Sequence, residues 1–220
     1  MKRDRLFIAA YGLATPIGCG KRAAAAALFS PATSGLAAER TLAGGRKVAV
    51  GAVTAELPQL PESLRDLDCR NNRLMLLALE EIADKVEAAK ARFGAERIAA
   101  VVGTSTSGID AGEEAVKALV ETGAWPAGFH YRKQELSGLS AFVARFFGLC
   151  GPVYTVATAC SSSAKVFASA RRLVHAGIVD AVVVGGADTL CRMTLEGFAS
   201  LELVSHGRCN PFSVHRDGIT

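Results

Sequence analysis

The chain has 220 residues, 50% of them apolar, 21% charged and 6% aromatic, enough to bury a substantial core and too apolar for intrinsic disorder. Its 25 Lys and Arg against 21 Asp and Glu leave a net charge of +4, spread over both halves and not interleaved with aromatics, which excludes a dedicated nucleic-acid reader. The 22 Gly and 7 Pro follow no collagen-like period, and no block of like charge marks a linker or tail.

In chain order, the charged start before Leu6–Ala10 leads into a short apolar run that breaks at Tyr11 and Gly12. That run reads as a first strand and not as a signal peptide. Further Gly-bounded apolar runs at Lys47–Val53, Ile98–Gly103, Val153–Ala157 and Ala181–Gly186 predict strands, with segments of helical period between them. This alternation predicts an α/β fold with a mostly parallel sheet. The clearest helix is expected from Cys69 to Arg92, with Leu74, Leu77, Ala78, Ile82 and Val86 on one face and Gly94 as its stop. Helices at Glu135–Phe147 and Ser161–His175 bracket the Val153 run, which predicts a strand buried on both faces. No linker or internal repeat divides the chain, so residues 1–220 are expected to form one domain, and His215–Thr220 reads as a turn feeding a further strand.

No apolar stretch approaches the roughly 20 residues of a membrane span. The cysteines, at 19, 69, 150, 160, 191 and 209, form no CxxC pair, which points to a reducing, cytoplasmic setting.

Three motifs fail on spacing or on residue type. Gly12–Lys21 is glycine-rich after a strand, but Thr15 stands where a phosphate loop needs its first Gly, and Arg22 where Ser or Thr must hold magnesium. Gly103–Ser107 approaches a hydrolase elbow around Ser105, but Ser107 replaces its second Gly. His206, Cys209 and His215, with Cys191, match no common pairing of zinc ligands. His130 and His175 are isolated, and His175 suits a helix C-terminus.

The informative stretch is Val153–Ala164, a strand that runs into Cys160, then Ser161, Ser162 and Ser163, then a helix. A cysteine in the first turn of a helix faces unsatisfied N–H groups and the positive dipole end, which favour its thiolate and fit it for nucleophilic work. Small neighbours leave room for a substrate, and the Cys160 N–H can serve a developing oxyanion. The other reading of the same residues is a buried core cysteine.

Thr-Ala-Cys-Ser-Ser-Ser-Ala at 158–164 resembles the nucleophile signature of the beta-ketoacyl-acyl carrier protein synthases. Three further stretches agree in order and spacing: Ala9–Gly18, Val182–Asp188, and Gly197–Leu201 leading to Asn210-Pro211-Phe212 and Arg216-Asp217-Gly218. The resemblance implies a thiolase-like fold, with this chain as the N-terminal half of a layered αβαβα condensing enzyme. It implies that Cys160 accepts an acyl group from an acyl carrier protein and that a carbanion from malonyl-carrier protein then attacks the acyl-cysteine. The two histidines that assist decarboxylation belong to the second half in this family, and none of the four histidines here matches them. A homodimer joined through the Val153–Ala157 strand is also implied, as are basic residues facing the acidic carrier, for which Arg65, Arg70, Arg132 and Lys133 are the candidates. No metal or organic cofactor is implied.

The chain departs from the family in a shorter Val204–Phe212 loop and in Ser213, where members commonly carry Asp. Cys160 is intact, whereas non-catalytic chain-length-factor relatives replace it. The alternatives are a non-catalytic half-fold that acts as an assembly partner, and another thiolase-fold acyltransferase.

Overall fold

A computed structural model describes residues 5–30, 35, 38–207 and 209–220; Met1–Asp4 of the charged start and Arg208 of the Val204–Phe212 loop lie outside them. The elements run β1 (Ala14–Thr15), β2 (Gly18–Cys19), α1 (Lys21–Leu28), β3 (Ala38–Thr41), β4 (Lys47–Val50), α2 (Arg70–Glu80), α3 (Ala83–Phe93), β5 (Ile98–Gly103), α4 (Ile109–Thr122), α5 (Ser137–Phe147), β6 (Val153–Val156), α6 (Ser162–His175), β7 (Ala181–Gly186) and α7 (Arg192–Ser200). Two compact units result: Met1–Gly12 with Leu57–Thr189, and Leu13–Glu56 with Leu190–Thr220.

The first unit is built on a parallel sheet of order β6-β5-β7, the α/β arrangement expected from the alternating pattern. All six residues of β5 are buried, because its two faces feed two different cores. Ile98, Ala100 and Val102 pack with Leu139, Phe142, Val143 and Phe147 of α5 and with Met75, Leu76 and Leu79 of α2. Ala99 and Val101 pack on the opposite face with Val166 of α6 and with Val179. This is the period-2 alternation of a central strand, and each fully buried Val, Leu or Phe contributes about 1.5–3 kcal/mol.

Three sequence expectations change here, and one helix is added. Val153–Val156 is not buried on both faces: β6 pairs only with β5 among the described residues, so it is an edge, with Val153 and Tyr154 exposed. The Cys69–Arg92 helix is two helices, because the chain leaves helical geometry at Ile82 (φ −119°, ψ 0°) before α3 restarts; Gly94 stops α3 as expected, at φ 85°. Leu6–Ala10 forms no strand, since a strand exists only where a neighbour takes its N–H and C=O groups, and no described strand pairs with it; Phe7 and Ile8 stand 86% and 74% exposed. Helix α4, which begins after Gly108 and ends at left-handed Gly123 (φ 76°), was not anticipated.

In the second unit Lys47–Val53 yields β4, paired antiparallel with β3 and not part of the parallel sheet. The cause is local: Gly44 and Gly45 (φ 80°) turn the chain back, with Leu42 N–H donating to Arg46 O. Leu42, Val48, Val50 and Val204 form its small core under Leu195, Phe198 and Ala199 of α7.

Candidate active site

The C-terminal ends of β5, β6 and β7 face the same edge of the sheet, where open α/β folds place their ligands. Strand β6 leaves this edge through Ala157 and Thr158 and turns into α6 within a few residues. Ala159 makes the turn at φ 53°, a left-handed conformation costing a non-glycine residue about 1–3 kcal/mol. Hydroxyl groups hold it there. Thr158 N–H donates to Ser162 Oγ (2.9 Å), Ser162 Oγ donates to Ala159 O (2.6 Å), and Ser161 Oγ donates to Thr158 O (2.8 Å). Ser161 and Ser162, read from sequence as small neighbours, are therefore the clamps of the turn.

Cys160 emerges from this turn exposed to solvent, not in the core of the first unit. It stands one residue before the helix cap, Ser161, and two before the first helical residue, so it precedes the first turn in which the sequence placed it. The first turn of α6 rests on two glycines at the strand ends. A Cβ at Gly103 would lie 2.6 Å from the carbonyl carbon of Ser162 and 2.7 Å from Ser163 N, and one at Gly186 would collide with Ser163 Oγ. Only glycine at both positions lets the helix approach this closely.

Beyond Gly103, the segment Thr104–Ser107 is tied to Asp188, two residues past β7. Asp188 Oδ1 accepts from Ser105 N–H (2.7 Å), Thr106 N–H (3.0 Å) and the hydroxyls of Thr104, Ser105 and Thr106. The near-miss hydrolase motif is thus a hydroxyl loop folded onto a carboxylate. Its Ser107, where an elbow would have Gly, is also left-handed, at φ 47°. Sequence reading quoted Asp188 within a motif and gave it no role; the signal available was the run of five residues, Gly103 to Ser107, that are all small or hydroxylated.

Of the four basic candidates, three meet around two carboxylates. Arg145 Nη1 donates to Asp66 (2.8 Å), with Arg132 Nη1 at 3.5 Å, and Arg73 makes a bidentate pair with Asp68 at 2.6 Å on both arms. Arg145 and Arg73, respectively, hold the Asp66 and Asp68 carboxyls below their ordinary range, and the charges of Lys133 and Arg65 add to the effect on Asp68. Arg65 also pairs with Glu62, and Lys133 Nζ donates to Gly128 O. Arg70 lies apart from this group on α2, where its charge acts on Asp110.

The discarded zinc set has other partners: Cys191 Sγ lies 3.2 Å from Thr194 Oγ1, His206 Nδ1 lies 3.3 Å from Arg46 Nη1, and Cys209 Sγ donates to Gly218 O. Among the described residues no three His, Cys, Asp or Glu side chains gather as a metal site, and no helix is long and apolar enough to cross a membrane.

A parallel sheet whose strand ends seat a helix is a thiolase-like arrangement. Residues 21–220 match the family model described as beta-ketoacyl synthase, N-terminal domain, and the chain belongs to that family. It is 43% identical to a chain of the solved complex of the ketosynthase ApeO with its chain length factor ApeC from Xenorhabdus doucetiae, over 97% of this chain and 54% of that one, with a TM-score of 0.90. It is 31% identical to nodulation protein E of Rhizobium meliloti, over 77% of this chain and 44% of that protein. A beta-ketoacyl synthase from Burkholderia phymatum, 21% identical with a TM-score of 0.74, shares the fold over 94% of this chain and 54% of its own. The chain spans about half the length of these relatives.

Proposed function

We propose that residues 1–220 form the N-terminal synthase domain of a beta-ketoacyl-acyl carrier protein synthase and that Cys160 is its nucleophile. The observation that carries this is the exposed Cys160 on a strained turn, ahead of a helix seated on two glycines, inside a chain of this family. A turn held against its conformational preference is expected where geometry serves chemistry. The Cys160 thiolate attacks the carbonyl carbon of an acyl thioester on a carrier protein, the C–S bond to the carrier breaks, and the carrier thiol leaves with the proton. Malonyl-carrier protein then loses carbon dioxide, and the resulting carbanion attacks the acyl-cysteine. A carbon–carbon bond forms and the Cys160 thiolate is released. The histidines that the family uses for decarboxylation have no match in residues 1–220, so this half supplies the acyl-holding step.

The acidic carrier is assigned to the basic cluster of Arg65, Arg132 and Lys133, and a second subunit to the open edge of β6. Charge reversal at Arg132 and Lys133 should weaken carrier binding at low salt; unchanged binding would remove them from the interface. Acylation of Cys160 by an acyl thioester, seen as a mass gain and absent in Cys160→Ala, tests the first step. Carbon dioxide release from malonyl-carrier protein separates a condensing enzyme from another acyltransferase. The second reading is a non-catalytic partner, favoured by the similarity to a complex in which a ketosynthase is joined by a chain length factor. A protein that binds a partner synthase while Cys160 never takes up acyl groups would establish it.

A further inference from the structure

We propose that Asp188 is a positioning residue for Cys160: its carboxylate fixes the loop after β5, and through the ends of β5 and β7 it fixes the turn that carries the thiol. The proposal rests on the reading of Cys160 as an acyl-accepting nucleophile and assigns a residue that supports it.

The connection is continuous and short. Asp188 Oδ1 collects five donors from Thr104, Ser105 and Thr106. The same loop is braced a second time, since Ser107 N–H donates to Thr104 Oγ1 (2.8 Å), Thr189 N–H to Thr106 Oγ1 (2.9 Å), and Thr189 Oγ1 to Ser107 O (3.0 Å). Thr104 N–H reaches back to Val156 O (3.4 Å) on β6, and Ala187 N–H to Gly103 O (3.2 Å). Gly103 lies against the backbone of Ser162 and Ser163, and Gly186 against the Ser163 side chain; Ser162 Oγ in turn bonds Ala159 O and Thr158 N–H on either side of the turn that carries Cys160.

A carboxylate oxygen that accepts from both the backbone and the hydroxyls of one loop has a mechanical role, because charge-assisted bonds of this kind are short and strong. Ser107 (φ 47°) and Ala159 (φ 53°), the non-glycine residues in left-handed geometry among the described residues of this unit, lie at the two ends of the network. Such strain persists only where surrounding bonds over-determine it. Without the carboxylate, the loop has two buried hydroxyl threonines and two backbone N–H groups to re-satisfy, and it relaxes toward solvent. The strand ends then lose one wall, and the Cys160 turn gains freedom.

The test uses the protein with every segment that its gene encodes, as wild type, Asp188→Ala, Asp188→Asn and Ser105→Ala. Amide exchange at Ser105 and Thr106 reports the loop. Acylation by an acyl thioester and alkylation by iodoacetamide report Cys160, and alkylation of exposed Cys150 is the internal reference. In Asp188→Ala, faster exchange at both amides and an acylation rate about tenfold lower are expected, with Cys150 alkylation unchanged. Asp188→Asn, which keeps the acceptor oxygen but not the charge, falls between, and Ser105→Ala stays within about twofold of wild type. If Asp188→Ala does not fold, Asp188→Asn carries the comparison. Loop deprotection with the Cys160 rates unchanged overturns the proposal, as do Cys160 and Cys150 rates that change together. If wild-type Cys160 is alkylated but never acylated, the acyl-transfer reading fails, and the ratio of Cys160 to Cys150 alkylation still decides whether Asp188 positions the thiol.

Discussion

The two edges of the central sheet are built on one plan with different materials. At the N-terminal edge, Asp180 just before β7 accepts from Arg97 Nε (2.7 Å) just before β5, and Arg97 Nη1 donates to the carbonyls of Gly177 and Ile178. At the C-terminal edge, Asp188 just after β7 accepts from the loop just after β5. The first is an ion pair on unstrained backbone. In the second, the described partners of the carboxylate are hydroxyls and N–H groups, and its backbone carries the strain at Ser107 and Ala159. An edge that needs only to hold the strands together can use a charge pair. On the proposed function the other edge holds a thiol beside a substrate, and it is tied with short neutral donors, which order a loop without placing a long cationic side chain across the opening.

The strongest way to break this contrast is Cys160→Ala. The variant should show no mass gain with acyl thioester, against a full equivalent for wild type. Because the side chain is exposed, the stability change should stay within about 0.5 kcal/mol. A mass gain that moves to another cysteine would mean that reactivity is not a property of this edge.

Gly103→Ala sharpens the contrast at the level of packing. Its Cβ would stand 2.6–2.7 Å from backbone atoms of Ser162 and Ser163, which have no flexible end to yield, so a loss of about 3 kcal/mol is expected from overpacking. Gly185→Ala, one residue before Gly186, meets nothing within 4 Å and should cost less than about 1 kcal/mol. Equal unfolding midpoints for the two in denaturant would mean that the helix seat is looser than its geometry.

The edge that carries Cys160 was more legible in sequence than the frame around it. Cys160, the strand before it and the helix after it follow from one stretch, because local spacing determines strand, turn and helix. Asp188 was not assigned because its role depends on pairing between β5 and β7, across more than 80 residues of separation. The same dependence explains the expectations that failed. The apolar residues of Leu6–Ala10 and Val153–Ala157 look alike from one position to the next, yet whether such a run becomes a central strand, an edge or no strand is decided by its neighbours. The break at Ile82 was hidden because the apolar stripe continues through it, from Leu79 in α2 to Val86 in α3.

A second cysteine beside a helix provides a control of intermediate size. Cys69 caps the N-terminus of α2, as Cys160 precedes α6, but it is buried with its sulfur against Gly108. Burial pushes its thiol up to about 11, an effect that the N–H groups of Asn72 and Asn71 only partly offset. At pH 8 about one Cys69 in a thousand is then ionised, so iodoacetamide should leave it unmodified over the time in which Cys160 reacts. The sign of the stability effect follows from the folded value lying above the ordinary one of 9.0. Cys69 contributes fully below pH 9, and the contribution is lost as pH rises from 9 toward 11. Cys69→Ala should flatten that alkaline decline, and an unchanged decline would place its cause elsewhere.

The smallest effect belongs to the N-terminal edge. Arg97 and Asp180 are partly exposed, with side chains at 36% and 25%, and pairs of this kind contribute about 0–1 kcal/mol. Arg97→Gln keeps a donor for one carbonyl but loses the charge, so only a small drop in stability is expected, reduced further at high salt. The informative reading is at the other end of the sheet: acylation and alkylation of Cys160 should not change, because β5 is held along its whole length by buried contacts on both faces. Were Arg97→Gln to slow Cys160 as much as Asp188→Ala does, the sheet would be transmitting strain from end to end. The hydroxyl loop would then be one support among several, not the one that sets the thiol.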